Sequence, residues 1–130
     1  MTSYPVLTAP KRSPWRWVLA PAAAVAAVSH IPVIAQHLDE APYMGVLFIV
    51  LTAACLALAV AALIRDTAVV YGLAVLTCGL AIIGYIATRL VAFPQLADDV
   101  GNWLEPLGIV AILAEVVVVI AAVNGVAARR

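Results

Sequence analysis

Charged residues are scarce in this chain of 130 residues, where Asp, Glu, Lys and Arg together make up 11%. Hydrophobic residues make up 66%, and the mean hydropathy is +1.13. This composition excludes an ordinary soluble domain, in which about a quarter of the residues are charged. The sequence also lacks a phosphate-binding glycine loop, a supported Ser/His/Asp or Cys/His set, and a basic nucleic-acid-binding patch. We therefore expect a membrane protein that is neither an enzyme nor a nucleic-acid-binding protein.

Four long apolar runs dominate the chain. They cover roughly 16–37, 42–64, 68–93 and 105–127, and each reaches the approximately 20 residues that cross a hydrocarbon core. Their connections are short, so neighbouring helices must be antiparallel. The sequence predicts an all-α fold: a single four-helix transmembrane bundle over residues 15–130, with up-down-up-down topology. A Pro-rich cytoplasmic tail over residues 1–14 precedes it.

The first run has a second interpretation, as a cleaved signal peptide. Basic residues precede it, and the stretch from Ala20 to Ala27 offers small residues of the cleavage type. The run nevertheless continues through Ile34 and is long enough to span the bilayer, which favours its retention as a helix.

Basic residues predict the orientation of the bundle. After an even number of crossings, all the basic residues outside the apolar runs fall on one side, which must be the cytoplasm of a bacterial plasma (inner) membrane. These residues are Lys11, Arg12, Arg16, Arg65, Arg129 and Arg130. Both termini are then cytoplasmic. The outer side receives an acidic rim of His37, Asp39, Glu40, Asp98, Asp99 and Glu105.

The two halves of the bundle resemble each other as helical hairpins. Both outer helix starts carry an acid next to a proline, Glu40 before Pro42 and Glu105 before Pro106, where a negative charge and a missing N–H are tolerated. The same overlay brings the pair 29–30 near the pair 88–89. The hypothesis is a two-hairpin repeat about an axis along the membrane normal. The alternative is that both starts follow the general preference of helix N-termini.

Polar side chains from three helices fall at similar depths, about 7 to 15 Å below the outer helix ends. Charges inside hydrocarbon cost several kcal/mol unless they are paired or hydrated, so intramembrane ionisable residues are functional-site candidates. We therefore predict an intramembrane polar cluster of His30, Tyr85, Arg89 and Glu115.

Arg89 and Glu115 are expected to form an ion pair, since they lie on antiparallel neighbouring helices. Two interpretations are open. In the first interpretation, the pair fixes the register of the bundle. In the other, Glu115 titrates with Arg89 as its counter-charge, and the site exchanges a proton or a cation.

A metal ion is the one cofactor that the sequence suggests, with His30, His37 and Glu40 as ligands. Imidazole and carboxylate groups bind transition metals, and the two histidines share a helical face. Their spacing separates them by about 10 Å, so one ion would need a bend in the helix. Alternatively, His30 is a satisfied polar group that bonds Glu115, Tyr85 or a carbonyl.

Two cysteines lie deep in the second and third helices. Cys55 and Cys78 are both about 20 Å below the outer helix ends and can approach each other. A buried cysteine usually packs as a small hydrophobe, with a redox or metal role as the alternative. Their spacing is not of a metal-binding type.

A loose resemblance covers roughly residues 29–115. It is carried by the segments HLDEAPYMGVLF (37–48) and YIATRLVAFPQLADDVGNWLEPLGIV (85–110) and by Glu115. The chain resembles small four-helix membrane proteins of actinobacterial type, and the matching positions are Tyr85, Thr88, Arg89, Pro94, Trp103, Gly108 and Glu115. The resemblance implies that the arginine and the glutamate act as a unit, and it implies no activity.

The leading functional prediction is a site that binds or conducts a cation or a proton through the predicted cluster. The main alternative is a structural accessory subunit, in which the Arg89–Glu115 pair only holds the bundle together. A small multidrug-type exporter is a third option, although its membrane glutamate is expected in the first helix. The expected partners are the lipid bilayer and either further copies of the chain or a larger membrane complex.

Overall fold

A computed structural model describes residues 13–65 and 67–128 of the chain, and these residues form an all-helical fold. The four long helices are α1 (Arg16–Glu40), α2 (Pro42–Ile64), α3 (Ala68–Leu90) and α4 (Pro106–Ala127), with a short 3-10 turn at Ala97–Asp99. The prediction of four long apolar helices is confirmed. Helix α1 extends beyond the predicted end at 37, and α3 ends before the predicted end at 93. The tail up to residue 12 and the two C-terminal arginines lie outside the described residues.

Each long helix meets the requirement for crossing a membrane by length and composition. At 1.5 Å per residue, helices of this length span about 33 to 38 Å, which exceeds a hydrocarbon core of about 30 Å. Their apolar residues are arranged for lipid: Ile64 and Ile83 are 71% and 64% exposed, whereas Ala23 is fully buried. Large side chains face outward and small ones line the helix contacts, as expected where packing drives association. The chain is therefore a multi-pass membrane protein.

The helices pack as a four-membered ring. Helix α1 packs against α2 and α4, and α3 packs against α4 and, less extensively, against α2. Within the described residues α1 and α3 have no direct packing contact, so they lie across the diagonal. Helix α1 is helical without interruption through Pro21 and Pro32. Thus residues on α1 and α4 can meet in the core, while residues on α3 reach α2, α4 or the loops.

Local chemistry explains where the helices begin. Only Ala41 separates α1 from α2, and Pro42 starts α2 at a position where its missing N–H is not needed. Thr67 accepts a hydrogen bond from the Val70 N–H at the start of α3. Glu105 caps α4 by accepting hydrogen bonds from the N–H groups of Leu107 and Gly108, at 3.1 and 2.6 Å. One member of the predicted acidic rim therefore has a structural role.

Candidate functional site

The most buried ion pair joins the first and last helices. Nε2 of His30 lies 3.6 Å from Oε2 of Glu115, and the two residues are only 5% and 2% exposed. Nδ1 of the same imidazole bonds the carbonyl oxygen of Ala26, one turn earlier. A carbonyl can only accept, so the proton sits on Nδ1 and Nε2 faces the carboxyl group. Of the three partners that the sequence left open for His30, the structure gives a hydrogen bond to a carbonyl and places Glu115 at 3.6 Å.

Small residues bring these two side chains together. Ala23, Ala26 and Ala27 on α1 are fully buried, and Ala111 and Ala114 on α4 are nearly so. Alanines at a helix interface allow the backbones to approach closely in a membrane. The long polar side chains of the pair then reach across the interface from opposite sides.

The carboxyl group of Glu115 is poorly satisfied apart from this contact. Its Oε2 atom has no hydrogen-bond partner among the described residues. A buried ionised carboxylate without a partner costs several kcal/mol. The neutral combinations of the pair, acid with imidazole or carboxylate with imidazolium, hold the same number of protons. An imidazole beside a carboxyl group is able to bind and release a proton.

Arg89 does not pair with Glu115 in the structure. Its Nη1 atom donates a hydrogen bond to Oγ1 of Thr88 at 3.1 Å and lies 3.6 Å from Oδ2 of Asp99. The expected Arg89–Glu115 pair is replaced for a geometric reason. Arg89 sits in the last turn of α3, beside the acidic 3-10 turn. Glu115 lies more than two turns into α4, on the face that meets α1.

Tyr85 lies with Arg89 near the end of the bundle that the sequence predicts to face outward, hereafter called the outer end. The guanidinium lies over its ring, 4.3 Å from the centroid, in a cation–π arrangement. The tyrosine hydroxyl donates to the carbonyl of Trp103 at 3.2 Å, and the two aromatic rings meet edge to face. The predicted four-residue cluster is thus two groups, the inner His30–Glu115 pair and the outer Arg89 with Tyr85 and Asp99.

The loop between α3 and α4 folds over the outer end of the bundle. Its Gly101 N–H donates to the carbonyl of Arg89 at 2.9 Å, and the Tyr43 hydroxyl donates to the carbonyl of Pro94 at 2.7 Å. Leu96 is 4% exposed and anchors the loop from within. This loop, residues 91–105, is hereafter called the outer cap.

The predicted metal ligands His30, His37 and Glu40 are not gathered into one site. Phe48 packs against both imidazoles, with ring centroids 5.4 and 4.8 Å away. His37 bonds the carbonyl of Val33, and Glu40 accepts from Gln36. Throughout residues 13–65 and 67–128, no group of three His, Cys, Asp or Glu side chains is placed to hold a metal ion.

The predicted acidic rim lies at the two helix connections of the outer end. Two of its members already have partners. Asp99 forms an ion pair with Arg89, and Glu105 accepts hydrogen bonds from the α4 N-terminus. The exposed members are Asp39, Glu40 and Asp98.

Two cysteines that the sequence places at equal depth lie together in the core. Cys55 and Cys78 are fully buried free cysteines whose thiols interact across the α2–α3 contact. The equal depths of the two residues were the sequence signal for this contact. Tyr71 is likewise fully buried, packed against Gly125 of α4. No sequence feature singled out that contact.

No family model, curated protein or solved structure matches this chain.

Proposed function

We propose that the chain binds a proton at the His30–Glu115 pair and exchanges it with the outer side of a bacterial plasma membrane. The observation that carries the proposal is the 3.6 Å contact between an imidazole and a carboxyl group that are both almost completely buried. Intramembrane ionisable residues are expensive and mark proton or ion pathways in many membrane proteins. The pair is the site of exchange, and the function is proton or cation binding or conduction.

Proton exchange suits the pair because the two groups together can hold one proton or two. With one shared proton the two groups are neutral overall, and with a second proton they become a carboxylic acid beside an imidazolium. The Nδ1 bond to Ala26 holds the ring in place in both states. An arriving proton, or a cation that competes with it, therefore needs no rearrangement of the backbone.

The chain crosses the membrane in up-down-up-down order, with both termini in the cytoplasm. Arg16 and Arg65 lie at the end of the bundle opposite the outer cap, and Arg16 stacks over Trp17 at 4.9 Å. This arrangement supports the positive-inside orientation. The exposed carboxylates Asp39, Glu40 and Asp98 then face outward and attract cations to that end.

The two hairpins are repeats of one unit, and their packing supports this part of the proposal. Ser29 and Thr88 each donate a hydroxyl hydrogen bond to the carbonyl three residues earlier, and each precedes a buried basic side chain. The buried faces of α2 and α4 also correspond at a constant separation of 63 positions. The corresponding pairs are Thr52 and Glu115, Cys55 and Val118, Leu58 and Ala121, Ala59 and Ala122, and Ala62 and Gly125.

Infrared difference spectroscopy on purified protein tests proton binding directly. A pH jump is expected to change the carboxyl band of the wild type, and the change should be lost in Glu115→Gln. Asp98→Asn is the matched control, because it removes an exposed carboxyl group of the rim and should leave the buried band unchanged. A titrating band that survives in Glu115→Gln would place the proton elsewhere.

Reconstituted vesicles test conduction. An interior pH dye is expected to report proton entry with the wild type and with Asp98→Asn, and entry at least tenfold slower with Glu115→Gln. Binding without measurable entry would restrict the function to a proton-sensing or structural one.

A structural accessory subunit is the second candidate function. It is favoured by the fact that both ion pairs join separate elements, His30 to Glu115 and Arg89 to Asp99. Such pairs fix register, and the apolar exterior offers helix faces to further copies of the chain or to a larger membrane complex. Cross-linking in native membranes distinguishes these partners. With this function, the His30–Glu115 pair would matter for assembly alone.

A further inference from the structure

Two thiols meet at the centre of the bundle. Cys55 on α2 and Cys78 on α3 are both fully buried and not joined in a disulfide. Both belong to the same buried core, and a side-chain hydrogen bond joins the two thiols. Counted at 1.5 Å per residue from the outer ends of their helices, both lie about 18 to 20 Å deep.

The dithiol lies next to the proposed proton site. Ala114 and Val118, on either side of Glu115 along α4, belong to the same buried core as both cysteines, and His30 is paired with Glu115. Each helix therefore contributes one of these four groups to the same region of the core. The two thiols thus lie deeper in the bundle than the imidazole and carboxyl groups.

We propose that Cys55 and Cys78 bind one soft monovalent metal ion of the Cu(I) class, held between their two sulfur atoms. The inference goes beyond the proposed function, because it adds a metal-binding dithiol beside the His30–Glu115 pair. Thiolate sulfur selects soft ions such as Cu(I), and two sulfur ligands are sufficient for linear coordination.

Harder ions are excluded by the number of ligands available. Zn²⁺ takes four ligands in closed protein sites, and Ca²⁺ takes six to eight oxygens. Within the described ranges no three donor side chains are placed around a common ion. A two-ligand site between facing thiols is compatible with that finding, because it needs no third donor.

The binding step is balanced and involves no oxidation. One S–H bond breaks as a sulfur–metal bond forms, and the second sulfur coordinates through its lone pair as a thiol. One proton leaves for each monovalent ion that enters, so the core stays electrically neutral, as a site in an apolar core requires. The exposed carboxylates Asp39, Glu40 and Asp98 attract the ion at the outer end.

Silver titration of the full-length protein tests the site, because Ag(I) is a soft ion that does not change oxidation state under these conditions. Purified, reduced protein is titrated with Ag(I) in excess free methionine, which competes with the thioether of Met44. One Ag(I) per chain is expected for the wild type. Binding should weaken at least 100-fold in Cys55→Ala and in Cys78→Ala, and His37→Ala is the control that should keep it.

Two further measurements separate this proposal from folding defects and from the proton site. X-ray absorption of Cu(I)-loaded wild type is expected to show sulfur neighbours only, and it needs no variant to fold. Glu115→Gln should keep stoichiometric Ag(I) even where its proton signal is lost. Absence of stoichiometric Ag(I) in reduced wild type, or unchanged Ag(I) binding in Cys55→Ala/Cys78→Ala, would overturn the dithiol site and leave the proton site standing.

Discussion

Arg89 pairs with Asp99, with 3.6 Å between Nη1 and Oδ2, whereas Glu115 pairs with His30. This division of partners gives the protein two separate charged groups at different depths. The outer group fastens the outer cap to α3. Among residues 13–65 and 67–128, no further ion pair involves His30 or Glu115, and the proposed proton exchange rests on this inner group alone.

Removing one member of the inner pair should destabilise the bundle more than removing both. His30→Leu leaves a buried carboxyl group without its neighbour, and breaking a buried pair in this way costs about 3–5 kcal/mol. Glu115→Leu should be similarly harmful, whereas His30→Leu/Glu115→Leu should recover much of the loss. Unfolding in mixed detergents measures the free energies, and strictly additive effects would argue against a direct interaction.

Arg89→Met should loosen the outer cap while leaving the helices intact. The variant loses the ion pair with Asp99, the bond to Thr88 and the stacking on Tyr85. We expect the Gly101 amide, which donates to the Arg89 carbonyl, to exchange its hydrogen about tenfold faster, equivalent to about 1.4 kcal/mol of local stability.

Arg65→Met is the control for that measurement. Arg65 is exposed at the opposite end of the bundle, so its loss should leave exchange in the outer cap unchanged. Equal protection of Gly101 in wild type and Arg89→Met would mean that the cap is held by Leu96 and the tyrosine hydroxyls alone.

Cysteine labelling should report the proposed orientation. In a Cys55→Ser/Cys78→Ser background, Asp98→Cys lies in the exposed part of the outer cap and Arg65→Cys in the opposite loop. A membrane-impermeant maleimide is expected to label the first in intact cells and the second only after permeabilisation. The reverse pattern would invert the bundle and place the acidic rim in the cytoplasm.

The helices could be predicted from the sequence, but the partners of the charged residues could not. Length and apolar continuity are sufficient to place four spans, because a bilayer imposes both. Depth counting also put Cys55 level with Cys78. It gave no rotation about the helix axis, however, and rotation decides that Glu115 faces α1.

The path of the outer cap could not be predicted from the sequence either. Its course depends on left-handed backbone at Gln95 and Gly101, with φ of 64° and 77°. Glycine adopts such a conformation readily, while a glutamine there is uncommon. The turn brings Asp99 back to Arg89. The outer ion pair therefore depends on a loop conformation that no periodic pattern of hydrophobic residues predicts.

Two glycines in the bundle should respond oppositely to the same substitution. A Cβ atom at Gly125 would overlap the ring of Tyr71, which is fully buried and has no room to move aside. At Gly79 nothing lies within 4 Å of the same atom. Alanine is favoured over glycine inside a helix by about 0.5–1 kcal/mol, so Gly79→Ala should be neutral or slightly stabilising.

Gly125→Ala should instead lose about 1–3 kcal/mol, as overpacking in a close-packed core does. Thermal unfolding in one detergent compares the two variants, and Tyr71→Leu in the Gly125→Ala background should restore part of the loss by relieving the overlap. Equal stability of the two alanine variants would show that α3 and α4 do not pack through Tyr71 and Gly125. The α3–α4 contact, and with it the depth at which Cys78 meets Cys55, would then need to be revised.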